Sequence, residues 1–203
     1  MTKFYKLYDR IAQGYDIAFG PLLRHGQKMA LSALDIKPSA HVLEVGIGTG
    51  LTLPMYRKDQ KIDGVDLSER MLEKAEKRKK KLGMGNVKLH VMSAESLEFK
   101  DNTFDIVYAP SVFSVVHDPK KVLDEMLRVA KPDGTLCVVS HFAGSTNAEK
   151  VLDRAFDPLT RKLVGFRMTT PRGVVESHPG AQVILKKSIF ALNFGTLYLI
   201  KKK

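Results

Sequence analysis

From Val42 onward, strand-like apolar runs alternate with amphipathic segments, and this alternation constrains the fold more than any other feature of the sequence. Such a pattern is typical of a parallel sheet with helices on both faces. The predicted strands are "HVLEVG", "KIDGVDLS", "NVKLHVM", "FDIVYAP" and "GTLCVVSHF", and the predicted helices include "LTLPMYRK", "SERMLEKAEKRKKKLG" and "PKKVLDEMLRVAK". In the longest of these helices, we expect Ser68 to cap the first turn and Gly83 to end the last.

The last part of the sequence predicts two more strands, "AQVILKKSIFAL" and "FGTLYLIKK", joined by a short loop around Asn193. A parallel pair requires a long crossover, so we expect these two strands to be antiparallel. A further helix is predicted over "NAEKVLDRAFDPLTRKLV". The sequence therefore predicts an α/β fold with a seven-stranded, mostly parallel sheet and an antiparallel C-terminal strand.

Gly46, Gly48 and Gly50 stand at alternate positions directly after the first predicted strand, in "LEVGIGTGL". Glycine adds no side chain to a core, so such a cluster indicates either a tight turn or a ligand lying against bare backbone. The spacing differs from the G-x-G-x-x-G of dinucleotide-binding enzymes. The carboxylate of Glu44, two residues before the first glycine, would suit a ligand ammonium better than a phosphate.

Further polar residues follow the second and third predicted strands. Asp66 ends "GVD", where a carboxylate can accept hydrogen bonds from both hydroxyls of a ribose. In "MSAESL", Ser93, the Ala94 backbone and Glu95 are expected beside an adenine. Sites for an ammonium, a ribose and an adenine, with no phosphate-binding lysine, together describe S-adenosylmethionine.

At these motifs the sequence resembles the class I S-adenosylmethionine-dependent methyltransferases, over about residues 40–141. The resemblance implies a Rossmann-like core and S-adenosyl-L-methionine as cofactor, with S-adenosyl-L-homocysteine as product. Relatives often carry Asp where Ser93 stands, and a hydroxyl can still accept from the adenine amino group. The residues implied in cofactor binding are Tyr15, Glu44, Gly46, Gly48, Gly50, Asp66, Leu67, Ser93, Ala94, Glu95 and Ala109.

The N-terminal segment predicts amphipathic helices. An apolar stripe of Phe4, Leu7, Tyr8, Ile11 and Tyr15 recurs at helical spacing, with basic residues on the other faces. This combination is typical of a helix lying in a membrane interface, although the same stripe would also serve as a lid over the cofactor cleft. We expect a single domain over 1–203, with residues 1–36 as the lid or membrane-contact segment and 40–203 as the core.

The surplus of positive charge lies at the two ends of the chain. Residues 1–41 carry a net charge of +3, residues 42–141 only +1, and residues 142–203 carry +7. Basic ends suit an anionic partner, either nucleic acid or a membrane surface. The fourth strand ends in "APSVF" and lacks the Asn/Asp-Pro-Pro-Tyr of amino-methylating nucleic-acid enzymes, so we expect no nucleic-acid partner. The basic run "KRKKKLG" is interpreted as the solvated face of a helix.

"YDRIAQGYDIAFGPLLRHGQ", "SVFSVVHDP", "VVSHF" and "LNFGTLYLIKK" resemble the bacterial phospholipid N-methyltransferases that convert phosphatidylethanolamine toward phosphatidylcholine. This resemblance implies a peripheral enzyme that favours anionic lipid, on the cytoplasmic, inner face of the membrane, with no obligate protein partner. Two alternatives stay open: a methyltransferase for a quinone-like or other apolar small molecule, and a non-catalytic binding module. The candidate catalytic residues are Tyr15, His141 and Tyr108, and the candidate acceptor-binding residues are Tyr8, His117, Arg161, Arg167 and Arg172.

Other features exclude whole classes of protein. The apolar runs are shorter than the roughly 20 residues of a membrane span, and the N-terminus shows no secretory signal pattern. Cys137 is the single cysteine of the sequence, which excludes a disulfide framework and suits a small buried side chain in a reducing compartment. No metal site is expected.

Overall fold

The computed structural model describes residues 24–140, 173–189 and 195–203. Within them lies a seven-stranded sheet in the order β3-β2-β1-β4-β5-β7-β6. The strands are β1 (His41–Val45), β2 (Lys61–Asp66), β3 (Val87–Val91), β4 (Phe104–Pro110), β5 (Ala130–Ser140), β6 (Ala181–Ser188) and β7 (Thr196–Lys202). The described helices are α1 (residues 24–33), α2 (Glu69–Leu82), α3 (Pro119–Val129) and the short α4 (Gly173–Glu176), besides a 3-10 turn at Leu53–Met55.

The pairing of the strands confirms the predicted fold class. The strands β1 to β5 pair with one another in parallel, whereas β7 runs antiparallel to both β5 and β6. The chain moves outward from β1 to β2 and β3 on one side, and then returns to β4 on the other side of β1. This reversal opens a crevice at the carboxyl ends of β1 and β4, which is where open α/β sheets bind ligands.

Local signals determine the ends of α2 as predicted. Ser68 Oγ accepts a hydrogen bond from the backbone N–H of Met71 at 3.2 Å, and Gly83 adopts a left-handed conformation with φ of 62°. Met71, Leu72 and Ala75 form the buried face of the helix. The helix therefore lies against the sheet with most of its lysines turned toward solvent.

Helices cover both faces of the sheet. On one face, α3 and α4 bury Leu123, Met126 and Val175 in a core with Phe113 and Tyr198. The core on the opposite face includes Ala30 and Leu34 from the α1 region, Leu53, and Leu72 of α2. The two layers bury the middle of the sheet and leave its carboxyl edge to form the site described below.

A buried carboxylate ties the first three strands together beneath one face. His41 Nε2 of β1 and His90 Nε2 of β3 each lie 2.6 Å from a different oxygen of Asp63 in β2. Burial raises the pKa of Asp63, but the hydrogen bonds donated by the two imidazoles lower it by more than that. The pKa of Asp63 therefore lies below its ordinary value. The anionic form of Asp63 is therefore the one that joins these strands.

Two elements differ from the sequence prediction. The segment "LTLPMYRK" forms only the single 3-10 turn at Leu53–Met55, and Pro54 is one of the first two residues of that turn. The strand β5 begins at Ala130 instead of Gly134, because the residues between them form an irregularity where the pairing with β4 shifts from Phe104–Ala130 to Ile106–Thr135. The predicted helices over 1–20 and 147–164 lie outside the described residues.

Candidate functional site

A loop of residues 46–52, here called the glycine loop, connects β1 to the 3-10 turn at the carboxyl edge of the sheet. The backbone N–H groups of Gly46 and Ile47 both donate to the carbonyl of Val65, at 2.8 and 3.0 Å. A Cβ atom on Gly46 would lie 2.0 Å from Val112 Cγ2, so any side chain here would collide with the loop that follows β4. A Cβ on Gly48, where φ is +55°, would meet nothing within 4 Å, so the middle of the loop presents bare backbone to open space.

Asp66 adjoins this loop, as the sequence predicts. One of its carboxylate oxygens accepts from the Gly48 N–H at 2.9 Å, and the other accepts from the Ser68 N–H at 2.9 Å. A carboxylate has about four acceptor positions and, at the end of this strand, is the kind of group that accepts from ribose hydroxyls. The end of β2 and the glycine loop therefore form one continuous ligand-facing edge.

The segment after β3 lies next to Asp66. The Met92 N–H donates to the Asp66 carbonyl at 3.1 Å. Glu95 Oε1 accepts from the backbone N–H groups of His117 and Asp118, at 2.7 and 3.0 Å. Leu67 exposes 48% of its surface beside these residues and offers an apolar face. Ser93 and Ala94 belong to the same segment and are partly buried. The residues predicted beside the adenine therefore lie together, next to Asp66.

Glu44 lies within the core beneath this edge. Its side chain has no exposed surface, and its carboxyl oxygens accept hydrogen bonds from Thr52 Oγ1 at 2.7 and 2.8 Å and from the Tyr56 hydroxyl at 2.7 Å. Burial raises the pKa of Glu44 to about 7, against the lowering effect of these two donors. In this conformation the carboxyl has no surface with which to touch a ligand ammonium, so its predicted direct contact stays a prediction.

Tyr108, a predicted catalytic residue, is also fully buried. It stands level with Glu44 on β1 and with Cys137 on β5, in the middle of the sheet. Burial and the nearby Glu44 raise the pKa of Tyr108 well above its ordinary value, so its hydroxyl stays protonated at neutral pH. A buried, protonated hydroxyl is unsuited to removing a proton from an acceptor, and the geometry argues against that role.

The remaining predicted residues divide into two groups. Ala109 is fully buried in β4, whereas His117 is exposed in the loop between β4 and α3. The other predicted residues lie outside the described part of the chain, namely Tyr8, Tyr15, His141, Arg161, Arg167 and Arg172.

Two residues that sequence reasoning missed contact or face the glycine loop. Arg78, within the basic run interpreted as a solvated face, donates from its guanidinium to the carbonyl of Thr49 and lies 3.3 Å from the Thr49 hydroxyl. Gln27 of α1 lines a cavity of about 40 Å³ together with Gly46, Gly48 and Ser111. Neither position has a local signal, because each depends on how its helix packs against the loop.

A larger cavity of about 540 Å³ lies at the opposite, amino edge of the sheet. It is lined by the segment between α1 and β1 and by the starts of β4 and β5, including Lys37, Asp105 and Asp133. Of the predicted site residues that the structure describes, none lines it. Between the two cavities, we assign the candidate site to the smaller one because it adjoins the glycine loop and lies at the carboxyl ends of β1 and β4.

Among the described residues, no group of three His, Cys, Asp or Glu side chains is arranged to hold a metal ion. Of the helices in the described part of the chain, none is long and apolar enough to cross a membrane.

Comparison with known sequences places this site in a family. The sequence model of a family described as a methyltransferase domain matches residues 43–138. A phosphatidylethanolamine N-methyltransferase of Cereibacter sphaeroides is 36% identical over 142 residues, which are 70% of each chain. The ubiquinone/menaquinone biosynthesis C-methyltransferase UbiE of Hydrogenovibrio crunogenus is 31% identical over 208 residues, covering 93% of this chain and 80% of the relative.

Solved structures share the architecture. The YcgJ protein of Bacillus subtilis superimposes with a TM-score of 0.73 at 21% identity, covering 88% of this chain and 99% of that one. A protein of Thermotoga maritima, described as a possible histamine N-methyltransferase, superimposes with a TM-score of 0.71 at 23% identity, covering 98% and 100% of the two chains. At these identities the likeness shows a common fold.

Proposed function

Because the chain belongs to the S-adenosylmethionine-dependent methyltransferases, we propose that it methylates the amine of phosphatidylethanolamine, and then the mono- and dimethyl forms, toward phosphatidylcholine. The family membership implies S-adenosylmethionine as cofactor. When bound, this cofactor supplies a methyl group activated by attachment to a sulfonium.

The residues of the site fit such a cofactor. Gly48 faces open space where a ligand can approach the backbone, and Asp66 adjoins it with a carboxylate suited to ribose hydroxyls. The described residues that line the cavity beside the loop include no lysine or arginine, and S-adenosylmethionine carries no phosphate. Arg78 is bonded to Thr49 and thereby holds the loop in place. Binding and orienting the cofactor are therefore the tasks of these residues.

The observation that carries the proposed acceptor is the 36% identity to a phosphatidylethanolamine N-methyltransferase across 70% of both chains. The distribution of charge supports it, because residues 142–203 carry a net +7, which favours a surface rich in anionic lipid. The described edge strand β6 adds exposed Ile184 and Leu185 next to Lys186 and Lys187. Apolar and basic side chains together are typical of a membrane-facing surface.

The chemistry requires that the acceptor amine lose a proton before or during transfer. With the cofactor bound, transfer of its methyl group to the amine nitrogen would leave the sulfur as a thioether that keeps the electron pair of the broken bond. The amine proton passes to solvent or to a base. The candidate base is His141, which the sequence predicts as a catalytic residue. Among the described residues of the carboxyl edge, Tyr108 and Glu44 are fully buried and offer no base at the surface.

A second candidate acceptor is a quinone-like molecule, methylated at carbon. It is favoured by two relatives, the UbiE C-methyltransferase named above and a demethylmenaquinone methyltransferase of Renibacterium salmoninarum, which align with 93% and 91% of this chain at 31% identity. These alignments include more of the chain than that of the phospholipid enzyme, at lower identity. The two acceptors would carry a transferred methyl label in different molecules, a phospholipid or a quinone, so one experiment separates them.

The test is incubation of the purified protein with methyl-labelled S-adenosylmethionine and vesicles of phosphatidylethanolamine mixed with anionic phosphatidylglycerol. We expect label in mono-, di- or trimethylated phosphatidylethanolamine after separation of the lipids. Vesicles in which phosphatidylcholine replaces phosphatidylethanolamine supply the matched control, because they lack the primary amine. A parallel arm offers a reduced demethylmenaquinone in detergent.

Salt provides a further arm of the same assay. If basic side chains dock the protein on the vesicle, raising salt to about 0.5 M shortens the screening length well below 10 Å and lowers the rate on anionic vesicles. The rate on a detergent-dispersed phosphatidylethanolamine should fall much less. Label in the quinone alone would overturn the proposed acceptor and establish the second candidate.

A further inference from the structure

Arg128, near the end of α3, uses every N–H donor of its guanidinium in a hydrogen bond. Its Nε and Nη2 atoms donate to the two carboxylate oxygens of Glu125, both at 2.8 Å. Nη2 also donates to the carbonyl of Leu97 at 2.8 Å, and Nη1 donates to the carbonyl of Phe99 at 2.8 Å and to Asp101 Oδ1 at 2.7 Å. A guanidinium has five donors, so these bonds account for the whole group.

Three of these partners lie in residues 92–103, here called the β3–β4 loop because they connect those strands. Glu125 binds the loop as well, since its Oε2 accepts from the Leu97 N–H at 2.7 Å. The guanidinium of Arg128 holds the pKa of Glu125 below its ordinary value, so the two residues form an ion pair at neutral pH. Residues 92–103 contain no helix or strand, and bonds of this kind therefore determine the path of the loop.

The first part of the β3–β4 loop contains Ser93, Ala94 and Glu95, the residues predicted beside the adenine. Ser93 Oγ accepts from the Glu95 N–H at 3.2 Å. Glu95 Oε1 accepts from the backbone N–H groups of His117 and Asp118, directly before the first turn of α3. The loop is therefore bonded to both ends of α3, and the residues predicted beside the adenine lie at one of them.

We propose that Arg128, together with Glu125, positions the β3–β4 loop for recognition of the adenine base of the cofactor. In the described part of the chain, the partners of Arg128 are all different from the predicted cofactor-binding residues. Arg128 therefore acts through the loop and is a positioning residue. The inference rests on the cofactor assignment and is independent of the methyl acceptor.

The chemistry of the base shows what such positioning would control. Adenine presents an amino donor beside a bare ring nitrogen, whereas hypoxanthine presents a carbonyl beside an N–H at the same two places. A loop held in one position matches the adenine pattern and leaves polar groups unpaired against hypoxanthine, which is costly in a partly buried site. A loop that is free to shift adapts to either base. Arg128 should therefore affect the preference between bases as well as the affinity.

The shape of the guanidinium explains why an arginine stands here. Its planar fork directs donors to the Leu97 and Phe99 carbonyls while two further N–H groups face Glu125. A lysine would keep the positive charge beside Glu125, but its single nitrogen does not reproduce that fork. The substitution Arg128→Lys therefore separates the effect of the charge from the effect of the bonds to the two carbonyls.

The test measures, by calorimetry, the affinities for S-adenosylhomocysteine and S-inosylhomocysteine, which differ only in the base. The wild type should prefer the adenine ligand by about tenfold or more. In Arg128→Met, the affinity for S-adenosylhomocysteine should fall and the preference should shrink to about threefold or less. Arg128→Lys keeps the ion pair with Glu125, so it should fold even if Arg128→Met does not, and it should show the same reduced preference.

Two control variants distinguish positioning from other effects. Asp66→Ala removes a predicted ribose contact that both ligands share, so it should weaken both and keep the preference. Lys120→Met removes a positive charge of α3 that is 68% exposed and pairs with Asp124, and it should leave both affinities unchanged. Amide hydrogen exchange followed by mass spectrometry should be faster across the β3–β4 loop in Arg128→Met and unchanged in the glycine loop.

The outcomes separate this inference from the functional assignments. An unchanged preference in either Arg128 variant would overturn it, even with a lowered melting temperature, because Arg128 would then serve stability alone. A wild type with equal affinity for the two ligands would also overturn it, and so would an equal loss of preference in Lys120→Met. A wild type that binds neither ligand would instead contradict the cofactor assignment itself.

Discussion

At the scale of single residues, Glu44 shows how a motif position acquires its properties from partners that no motif contains. Its neighbours Leu43 and Val45 are buried, and its hydrogen-bond donors Thr52 and Tyr56 lie eight and twelve positions further along the chain. The sequence correctly places an acid at the end of β1. The orientation of the Glu44 side chain depends on how the 3-10 turn folds back beneath the glycine loop. The hydrophobic periodicity of the sequence does not indicate how that turn packs.

The pKa of Glu44 predicts a pH dependence of stability for the cofactor-free protein. The native state keeps a proton up to about pH 7, whereas the unfolded chain releases it near the ordinary value of 4.5. Stability therefore falls as the pH rises from about 4.5 to about 7 and stays lowered above that. The variant Glu44→Gln cannot ionise, so its stability relative to wild type should rise by about 2–3 kcal/mol between pH 5 and pH 8.

Urea unfolding at the two pH values measures this difference. Glu98→Gln, which removes a carboxyl at an exposed position, controls for the loss of one negative charge. If Glu44→Gln and Glu98→Gln change with pH in parallel, the buried carboxyl does not carry the effect.

At the scale of elements, α2 was predictable and the role of α1 was not. The cap at Ser68, the left-handed Gly83 and the apolar face of α2 are all encoded within 16 consecutive residues. Gln27 stands in the cavity only because α1 packs across the sheet with Ala30 and Leu34 buried beneath it. Arg78 was misread for the same reason, because a charge run on a helix does not reveal which member meets a neighbouring loop.

The stripe that precedes α1 predicts a membrane contact, although residues 1–23 lie outside the described part of the chain. Deleting residues 2–12 removes Phe4, Leu7 and Ile11 with two lysines and should abolish flotation with vesicles that contain anionic lipid. The sheet begins at His41, so the truncated protein should keep its cooperative melting transition.

Lys3→Gln combined with Lys6→Gln serves as the matched control for the deletion, since it removes charge and keeps the apolar stripe. Partial binding by this double variant would show that the stripe contributes beyond charge. Undiminished flotation of the deletion variant at moderate salt would mean that the segment is a lid only.

At the scale of the whole molecule, the order of the strands explains why the site could be located before its details were known. The reversal between β1 and β4 creates the crevice, and the carboxyl ends of β1 and β2 bring the glycine loop and Asp66 to one edge. The alternation of strands and helices, which predicts a parallel sheet, is legible in a sequence, and residues that follow parallel strands meet at one edge of the sheet. The bonds beneath that edge join residues far apart in the chain and require the folded structure.

Because Cys137 is buried, the rate at which its thiol reacts with a reagent measures how often the whole chain unfolds. The thiol lies at the centre of β5 with no exposed surface, burial raises its pKa, and the sequence contains no other cysteine. A thiol-modifying reagent should therefore react in native buffer only through rare unfolding excursions, at one equivalent per chain. S-Adenosylhomocysteine at 100 times its dissociation constant should slow the modification about a hundredfold when refolding outpaces labelling. Mass spectrometry of timed samples measures the rate, and modification as fast as that of the chain in guanidinium would contradict the buried position.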